Sequence, residues 1–138
     1  MRIVGFNFNK INIEKFSDKL EKLNIKTNID ISEIESIDNN LLKTDNSLLA
    51  VKFFYIIDYN PNFAKIELSG TILFELDKKQ AQEIIKKWEE KIIPEDFKLI
   101  LFNTILRKSN VKALQLEDDM NLPLHISLPS IKKTEKKE

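Results

Sequence analysis

The segment between Leu48 and Leu76 constrains the fold more than any other part of the chain. Two strongly apolar runs, Leu48–Asn60 and Phe63–Leu76, alternate in polarity and are separated by the turn-forming Asn60-Pro61-Asn62. Apolar residues at every second position place one face of a strand in the core, so the sequence predicts a long antiparallel hairpin. The residues predicted on its buried face are Leu49, Val51, Phe53, Tyr55, Ile57 and Tyr59, then Ala64, Ile66, Leu68, Gly70, Ile72, Phe74 and Leu76.

Two further strands are predicted before this hairpin. Arg2–Phe8 alternates as a half-buried strand, and Ile25–Ile37 is rich in Ile and Thr, with a change of face near Ser32 that indicates a β-bulge. Between them, the apolar positions of Asn12–Leu23 fall at helical spacing, which predicts a short helix, with an irregular connection as the alternative. The polar segment Asp38–Asn46 is predicted to link the second and third strands.

A first helix is predicted directly after the hairpin. Asp77 is a suitable N-cap, and Gln80 three positions later completes the capping-box pattern. A single apolar stripe follows, which indicates a helix lying on the sheet with Trp88 in the core. The stripe consists of Ala81, Ile84, Ile85, Trp88 and Ile92.

A second helix is predicted after Pro94, with Glu95 and Asp96 in its positively polarised first turn. At ~100° per residue, its apolar residues cover roughly two thirds of the circumference and leave a narrow polar arc at Asn103, Arg107 and Asn110. Such a helix needs cover on two sides, so we expect the sheet on one side and a second subunit on the other. The residues predicted for this oligomer interface are Phe97, Leu101, Phe102 and Ile105.

The predicted elements define an α+β fold in which a four-stranded antiparallel sheet is packed on one face by two consecutive C-terminal helices. A polar turn at Glu117-Asp118-Asp119 and an extended segment with two prolines follow the second helix. The chain of 138 residues suits one domain. We expect that domain to span residues 1–131, with a disordered charged tail over 132–138.

Composition excludes several classes of function. Lys plus Arg and Asp plus Glu number 22 each, so no net charge attracts nucleic acid or an anionic membrane. The absence of Cys excludes disulfides and thiolate metal sites, and only two glycines, Gly5 and Gly70, are too few for a phosphate-binding loop. With no apolar run of ~20 residues and no signal-peptide pattern in residues 1–10, we expect a cytoplasmic protein without membrane insertion or cofactor.

Few residues suggest catalysis. His125 is the single histidine and lies between Leu124 and Ile126, so it lacks partners for a metal site and is predicted to be structural or solvent-facing. Asp58 and Glu67 interrupt apolar strands and could form an acid/base pair, but outward-facing edge positions explain both. We therefore expect a protein that is not an enzyme and holds no metal.

The consecutive aromatics Phe53, Phe54 and Tyr55 point to function instead. Successive strand residues face opposite sides of a sheet, and helices are predicted on only one side. Stacking of single-stranded bases on these rings is disfavoured because the basic residues of such sheets are missing. Some of the aromatic surface therefore meets a partner.

Four strands, a turn, two helices and a Leu/Pro-rich tail together resemble the SecB-like export chaperones. The strand Ile66–Phe74, with a glycine shortly before an aromatic, and the segment Leu122–Pro129 are similar to the family's corresponding motifs. Pro94-Glu95-Asp96-Phe97-Lys98 departs from the family's usual helix start, and Glu117–Asn121 replaces its glycine-rich approach to the prolines. The resemblance implies a homotetramer, a dimer of dimers, with apolar grooves that hold unfolded polypeptide.

This resemblance leads to the expectation of an ATP-independent holdase for non-native polypeptides, with protein export as one role. The alternative is an adaptor or toxin-antitoxin-associated chaperone for one specific protein. A small-molecule carrier or enzyme, and a structural oligomer without a groove, also stay open. The predicted client-binding groove consists of Phe53, Phe54, Tyr55, Leu73, Leu124 and Ile126.

Overall fold

The computed structural model describes residues 1–19, 21–37 and 45–131. Four strands precede two helices along the described chain. The elements are β1 (Arg2–Lys15), β2 (Asn24–Ile37), β3 (Ser47–Asn60), β4 (Ala64–Leu76), α1 (Lys78–Trp88) and α2 (Glu95–Asp119). The expected disordered tail at 132–138 lies outside the described residues.

The strands form one antiparallel sheet in the order β1-β4-β3-β2. The two most apolar strands, β3 and β4, occupy its centre, where both of their edges are paired. Both helices follow the sheet in sequence, and side chains of α1 and α2 share a core with its inner face. The predicted α+β architecture is therefore confirmed.

The hairpin of β3 and β4 buries the face that its alternation predicts. Phe53 pairs with Gly70 and Ile57 with Ile66, and the inward-facing side chains of both strands are buried. The opposite face of the sheet carries ion pairs, such as that between Lys52 Nζ and Glu33 Oε2 at 3.3 Å, together with the apolar side chains of Phe54 and Leu73. The inner face is the more uniformly apolar of the two, and the helices cover it.

The predicted helix over Asn12–Leu23 is wrong. β1 continues to Lys15, where it still pairs with Ala64, and residues 16–19 and 21–23 are irregular. Leu20 lies outside the described residues. The reason is tertiary: pairing with β4 satisfies the backbone of residues 12–15, which outweighs a weak helical spacing.

The bulge predicted in the second strand is confirmed. The register of β2 against β3 shifts between Ile31 and Glu33, so Ser32 is the extra residue, and its hydroxyl donates to the Lys52 carbonyl at 3.2 Å. Of the predicted link Asp38–Asn46, residues 38–44 lie outside the described part of the chain.

Helix α1 begins as predicted, because the Asp77 side chain accepts a hydrogen bond from the Gln80 N–H at 2.8 Å. Its last apolar residues depart from the prediction: Trp88 is only partly buried at the edge of the core, and Ile92 lies beyond the helix with half of its surface exposed. The helix ends first because Lys91 adopts a left-handed conformation, φ 59°.

Helix α2 is longer than its apolar pattern indicates. It has 25 residues and includes Glu117-Asp118-Asp119, so the turn predicted at these three residues is wrong. The helix ends at a Schellman motif, in which the Leu122 N–H donates to the Glu117 carbonyl and Asn121 is left-handed, φ 54°. The residues of α2 that face the sheet recur every four positions: Phe97, Leu101, Ile105, Ser109, Ala113 and Glu117.

Gly70 is required by two aromatic rings. It pairs with Phe53 of β3 on one side and Phe8 of β1 on the other, and the rings of Phe8 and Phe53 lie 6.4 Å apart. A Cβ atom at Gly70 would lie 2.9 Å from Phe53 Cζ and would also clash with the Asn7 carbonyl oxygen. The missing side chain therefore makes room for aromatic packing across the sheet.

We predict that Gly70→Ala lowers the free energy of unfolding by about 3 kcal/mol, because a rigid backbone carbonyl and a packed ring must both move. Urea unfolding followed by circular dichroism measures this. Gly5→Ala is the matched control, since a Cβ there meets only the flexible Leu73 side chain, at 3.2 Å. Equal stability of wild type and Gly70→Ala would contradict the packing.

Candidate functional site

The predicted client-groove residues lie in three separate places. Phe53 and Tyr55 are in the core on the inner face of the sheet, at 1% and 0% exposure, so a client cannot reach them in this conformation. Phe54 and Leu73 are partly buried on the opposite face. The structure therefore does not join these four residues into one groove.

The remaining two groove candidates, Leu124 and Ile126, lie in the segment after α2. They are 38% and 37% exposed, and Leu128 further along is 54% exposed. This segment bends at residues 125–126 and has no regular secondary structure up to residue 131. It presents apolar side chains that a bound chain could contact.

Three of the four residues predicted for the oligomer interface lie in the core of the single chain. Phe97, Leu101 and Ile105 pack against the sheet at 3% exposure or less, so a second subunit could not contact them without opening the core. Phe102 is partly buried at the core's edge. The apolar arc of α2 is wide, and its sequence pattern alone does not indicate which part of the arc faces the sheet and which part faces outward.

The opposite side of α2 carries exposed apolar residues. The long helix has its own buried row, and these side chains lie outside it. Exposed apolar side chains on a helix are available to meet another chain. The residues are Leu99, Ile100, Leu106 and Val111.

A buried polar cluster attaches the C-terminal segment to the helix and the sheet. His125 Nδ1 lies 2.7 Å from Glu117 Oε2, and the His125 N–H donates to Glu117 Oε1 at 3.0 Å. On the other side of the ring, Nε2 lies 2.9 Å from the Tyr55 hydroxyl, which donates to Asn110 Oδ1 at 2.6 Å. The His125 and Glu117 side chains are 3% and 0% exposed, so the cluster is structural and closed to solvent.

Tyr59 makes a second attachment for the same segment. Its hydroxyl donates to the Pro123 carbonyl oxygen at 2.6 Å. The neighbouring Leu122 is buried in a hydrophobic cluster that also contains Tyr59. Burial, and then the negative charge of Glu117, raise the pKa of both Tyr55 and Tyr59 far above the ordinary tyrosine value. Both hydroxyls therefore stay protonated and hold the segment in place.

Only part of this cluster is predictable from the sequence. The prediction that His125 is structural agrees with its buried position. The sequence predicts Glu117 in a turn and Asn110 on the polar arc of the second helix. These residues are far apart in the chain, and no local pattern connects them with Tyr55. A buried carboxylate beside a histidine becomes visible only once α2 is known to include residue 117.

The strand carboxylates do not form an acid/base pair. Glu67 on the outer face accepts a hydrogen bond from Lys10 Nζ at 2.9 Å and lies 3.4 Å from Lys65 Nζ. The hydrogen bond from Lys10 lowers the pKa of Glu67 below its ordinary value. Asp58 pairs across the strands with Lys65 and Lys26, which are cationic. Glu67 is thus ion-paired on the outer face, and Asp58 lies opposite two lysines in the strand register.

A pocket of about 360 Å³ opens beside the exposed edge of the core. Its walls come from the end of α1, the connection to α2, the start of α2 and the edge strand β2. Trp88 and Phe102 supply aromatic surface, while the ammonium groups of Lys91 and Lys98 lie 4.3 Å and 5.9 Å from the centres of those two rings. The pocket thus combines aromatic and aliphatic side chains with charged ones.

No group of three or more metal-ligating side chains is present in the described part of the chain. Within the same residues, neither helix is long and apolar enough to cross a membrane.

Comparison with known proteins gives a fold but no sequence family. No protein-family model matches the sequence, and no curated protein matches it. Among solved structures, the chain has the fold of a SecB-like chaperone, which confirms the fold expected from the sequence. The matched structure is the Mycobacterium tuberculosis Rv1957 SecB-like chaperone in complex with a ChAD peptide from the Rv1956 HigA1 antitoxin. The match has a TM-score of 0.58 and 8% identity, and covers 95% of this chain and 87% of that chain.

We predict that stability falls as the pH rises above about 10, the ordinary tyrosine pKa. In the unfolded chain Tyr55 and Tyr59 ionise there, whereas their raised pKa keeps them protonated when folded, so the unfolded state binds fewer protons and gains stability. Urea unfolding across this pH range measures the slope. Tyr55→Phe and Tyr59→Phe should each flatten it, and an unchanged slope in both variants would contradict the burial of the hydroxyls.

Proposed function

We propose that the protein is an ATP-independent chaperone that binds non-native polypeptides in the cytoplasm. The observation that carries the proposal is the fold: at nearly full coverage it is that of a SecB-like chaperone solved with a bound peptide. The exposed apolar side chains of α2 and of the C-terminal segment support it, because such surface is available to a client.

Apolar contact suits clients of many sequences. Burial of apolar surface contributes roughly 25 cal/mol per Å² and needs no particular side-chain order. The segment that carries Leu124 and Ile126 is fixed at His125, so contact with a client does not require ordering this part of the chain first. A firmly attached apolar segment therefore supports binding without high sequence specificity.

A second candidate is an adaptor that recognises one specific protein. The matched Rv1957 structure holds a peptide from a single antitoxin, which favours such a role in a related fold. The two candidates differ in breadth. A general holdase slows the aggregation of unrelated unfolded proteins, whereas an adaptor acts on its one partner and leaves model substrates unprotected.

We predict that the purified protein, in stoichiometric excess, slows the aggregation of a chemically unfolded model substrate, as measured by light scattering. The double variant Leu124→Ser/Ile126→Ser should bind the substrate roughly five- to tenfold more weakly, because apolar contact area is lost. Ser127→Ala, an exposed position directly after Ile126, is the control. If the wild-type protein leaves aggregation unchanged, the holdase proposal fails.

The proposal includes a homo-oligomer, with a tetramer built as a dimer of dimers. Because Phe97, Leu101 and Ile105 are in the core, we assign subunit contact to the outward side of α2. Leu99 and Val111 are 60% and 56% exposed in the single chain, which leaves them free to pack against a second copy. Several subunits would also multiply weak client contacts.

We predict a solution mass near four times the chain mass of 16.2 kDa, measured by light scattering at micromolar concentration. Leu99→Lys/Val111→Lys should lower the mass, since buried lysines at an apolar interface are costly, while circular dichroism stays unchanged. Ile92→Lys, an apolar position outside the helices that is 50% exposed, is the control. A monomeric wild type would overturn the assignment.

A further inference from the structure

We infer that the pocket beside Trp88 selects client segments in which a bulky apolar residue is flanked by acidic residues. The inference rests on the proposed function and adds to it a preference for one kind of client sequence.

The apolar part of the pocket comes from residues at the margin of the core. Ile31 is buried, and Trp88, Ile93 and Phe102 are partly buried and pack against the same core cluster. Their free surfaces face a pocket of about 360 Å³, at the lower end of the range for ligand sites. It suits one or two side chains of an extended chain better than a folded domain.

The charge of the pocket comes from two lysines held against its aromatic rings. Lys91 lies over Trp88 because its left-handed backbone turns the chain back at the end of α1, and Lys98 reaches Phe102 across one turn of α2. Within the described residues, neither ammonium group has a carboxylate partner. An incoming carboxylate would therefore form new ion pairs without breaking existing ones.

The one carboxylate in the pocket wall does not cancel this preference. Asp30 Oδ1 accepts the backbone N–H of Ile31 at 2.8 Å, which fixes the side chain at the β2 bulge. Lys91 and Lys98 contribute two positive charges and Asp30 contributes one negative charge, so the pocket lining has a net positive charge. A basic client segment would be repelled, whereas an acidic one gains from both lysines.

Trp88 is the single tryptophan of the chain and reports on this pocket directly. The probe is a short unstructured peptide without Trp, containing one Leu flanked by Glu on both sides. Matched peptides carry Gln or Lys in place of Glu. Titration into the 138-residue protein, followed by Trp88 fluorescence and by anisotropy of a label on the peptide, measures occupancy of the pocket and total binding separately.

We expect the Glu peptide to shift Trp88 emission and to bind roughly fivefold more tightly than the Gln peptide, with the Lys peptide weakest. Lys91→Asn/Lys98→Gln should abolish the difference between the peptides, because Asn tolerates the left-handed backbone and Gln keeps the helix. Lys79→Gln, an exposed lysine of α1 outside the pocket, should retain the difference. Phe102→Ala should weaken the binding of all three peptides.

Several outcomes would overturn the inference and leave the proposed function standing. Equal binding of the three peptides would remove the charge preference, and binding seen by anisotropy without a change at Trp88 would place the client elsewhere. A Trp88 shift that depends only on protein concentration would assign the pocket to a second copy of the chain. Failure of the aggregation assay, by contrast, would remove the holdase function irrespective of the peptides.

Discussion

The pairing of β3 with β4 is the constraint on which the rest of the structure depends. It creates a sheet whose inner face is apolar from end to end, and such a face is stable only when it is covered. Helix α2 covers it with a row that recurs every four residues and therefore drifts around the helix, from Phe97 to Glu117. The same geometry leaves Leu99 and Val111 pointing outward, so the exposed surface is a consequence of how the core closes.

Strong periodicity over many residues made much of this fold predictable. The faces of β3 and β4, the cap at Asp77 and the bulge at Ser32 each have a local cause in the sequence. The extension of β1 to Lys15 has no local cause in the sequence, because it results from backbone hydrogen bonding to β4. A single-sequence pattern reports what a segment prefers alone, and partners at long range decide the rest.

The candidate sites were less predictable than the fold for the same reason. Tyr55, Asn110, Glu117 and His125 meet in space only after the strand, the helix and the C-terminal segment have been placed. Their chemistry also carries no motif, since a lone histidine and a carboxylate in a charged stretch are common on surfaces. The cluster replaces solvent with a complete set of partners, and in this way a buried polar group can hold one arrangement of the segment.

The affinity for clients and the preference among clients have different physical sources in this molecule. Apolar surface on α2 and on the segment after His125 can hold many sequences, because its contribution scales with area and not with identity. Charge acts differently: it contributes little to affinity at an exposed rim but ranks similar clients against one another. Lys91 and Lys98 lie at such a rim, each positioned by an aromatic ring that also forms the pocket wall. A general holdase with this pocket would therefore bind broadly and still prefer the acidic member of any pair of equally apolar segments.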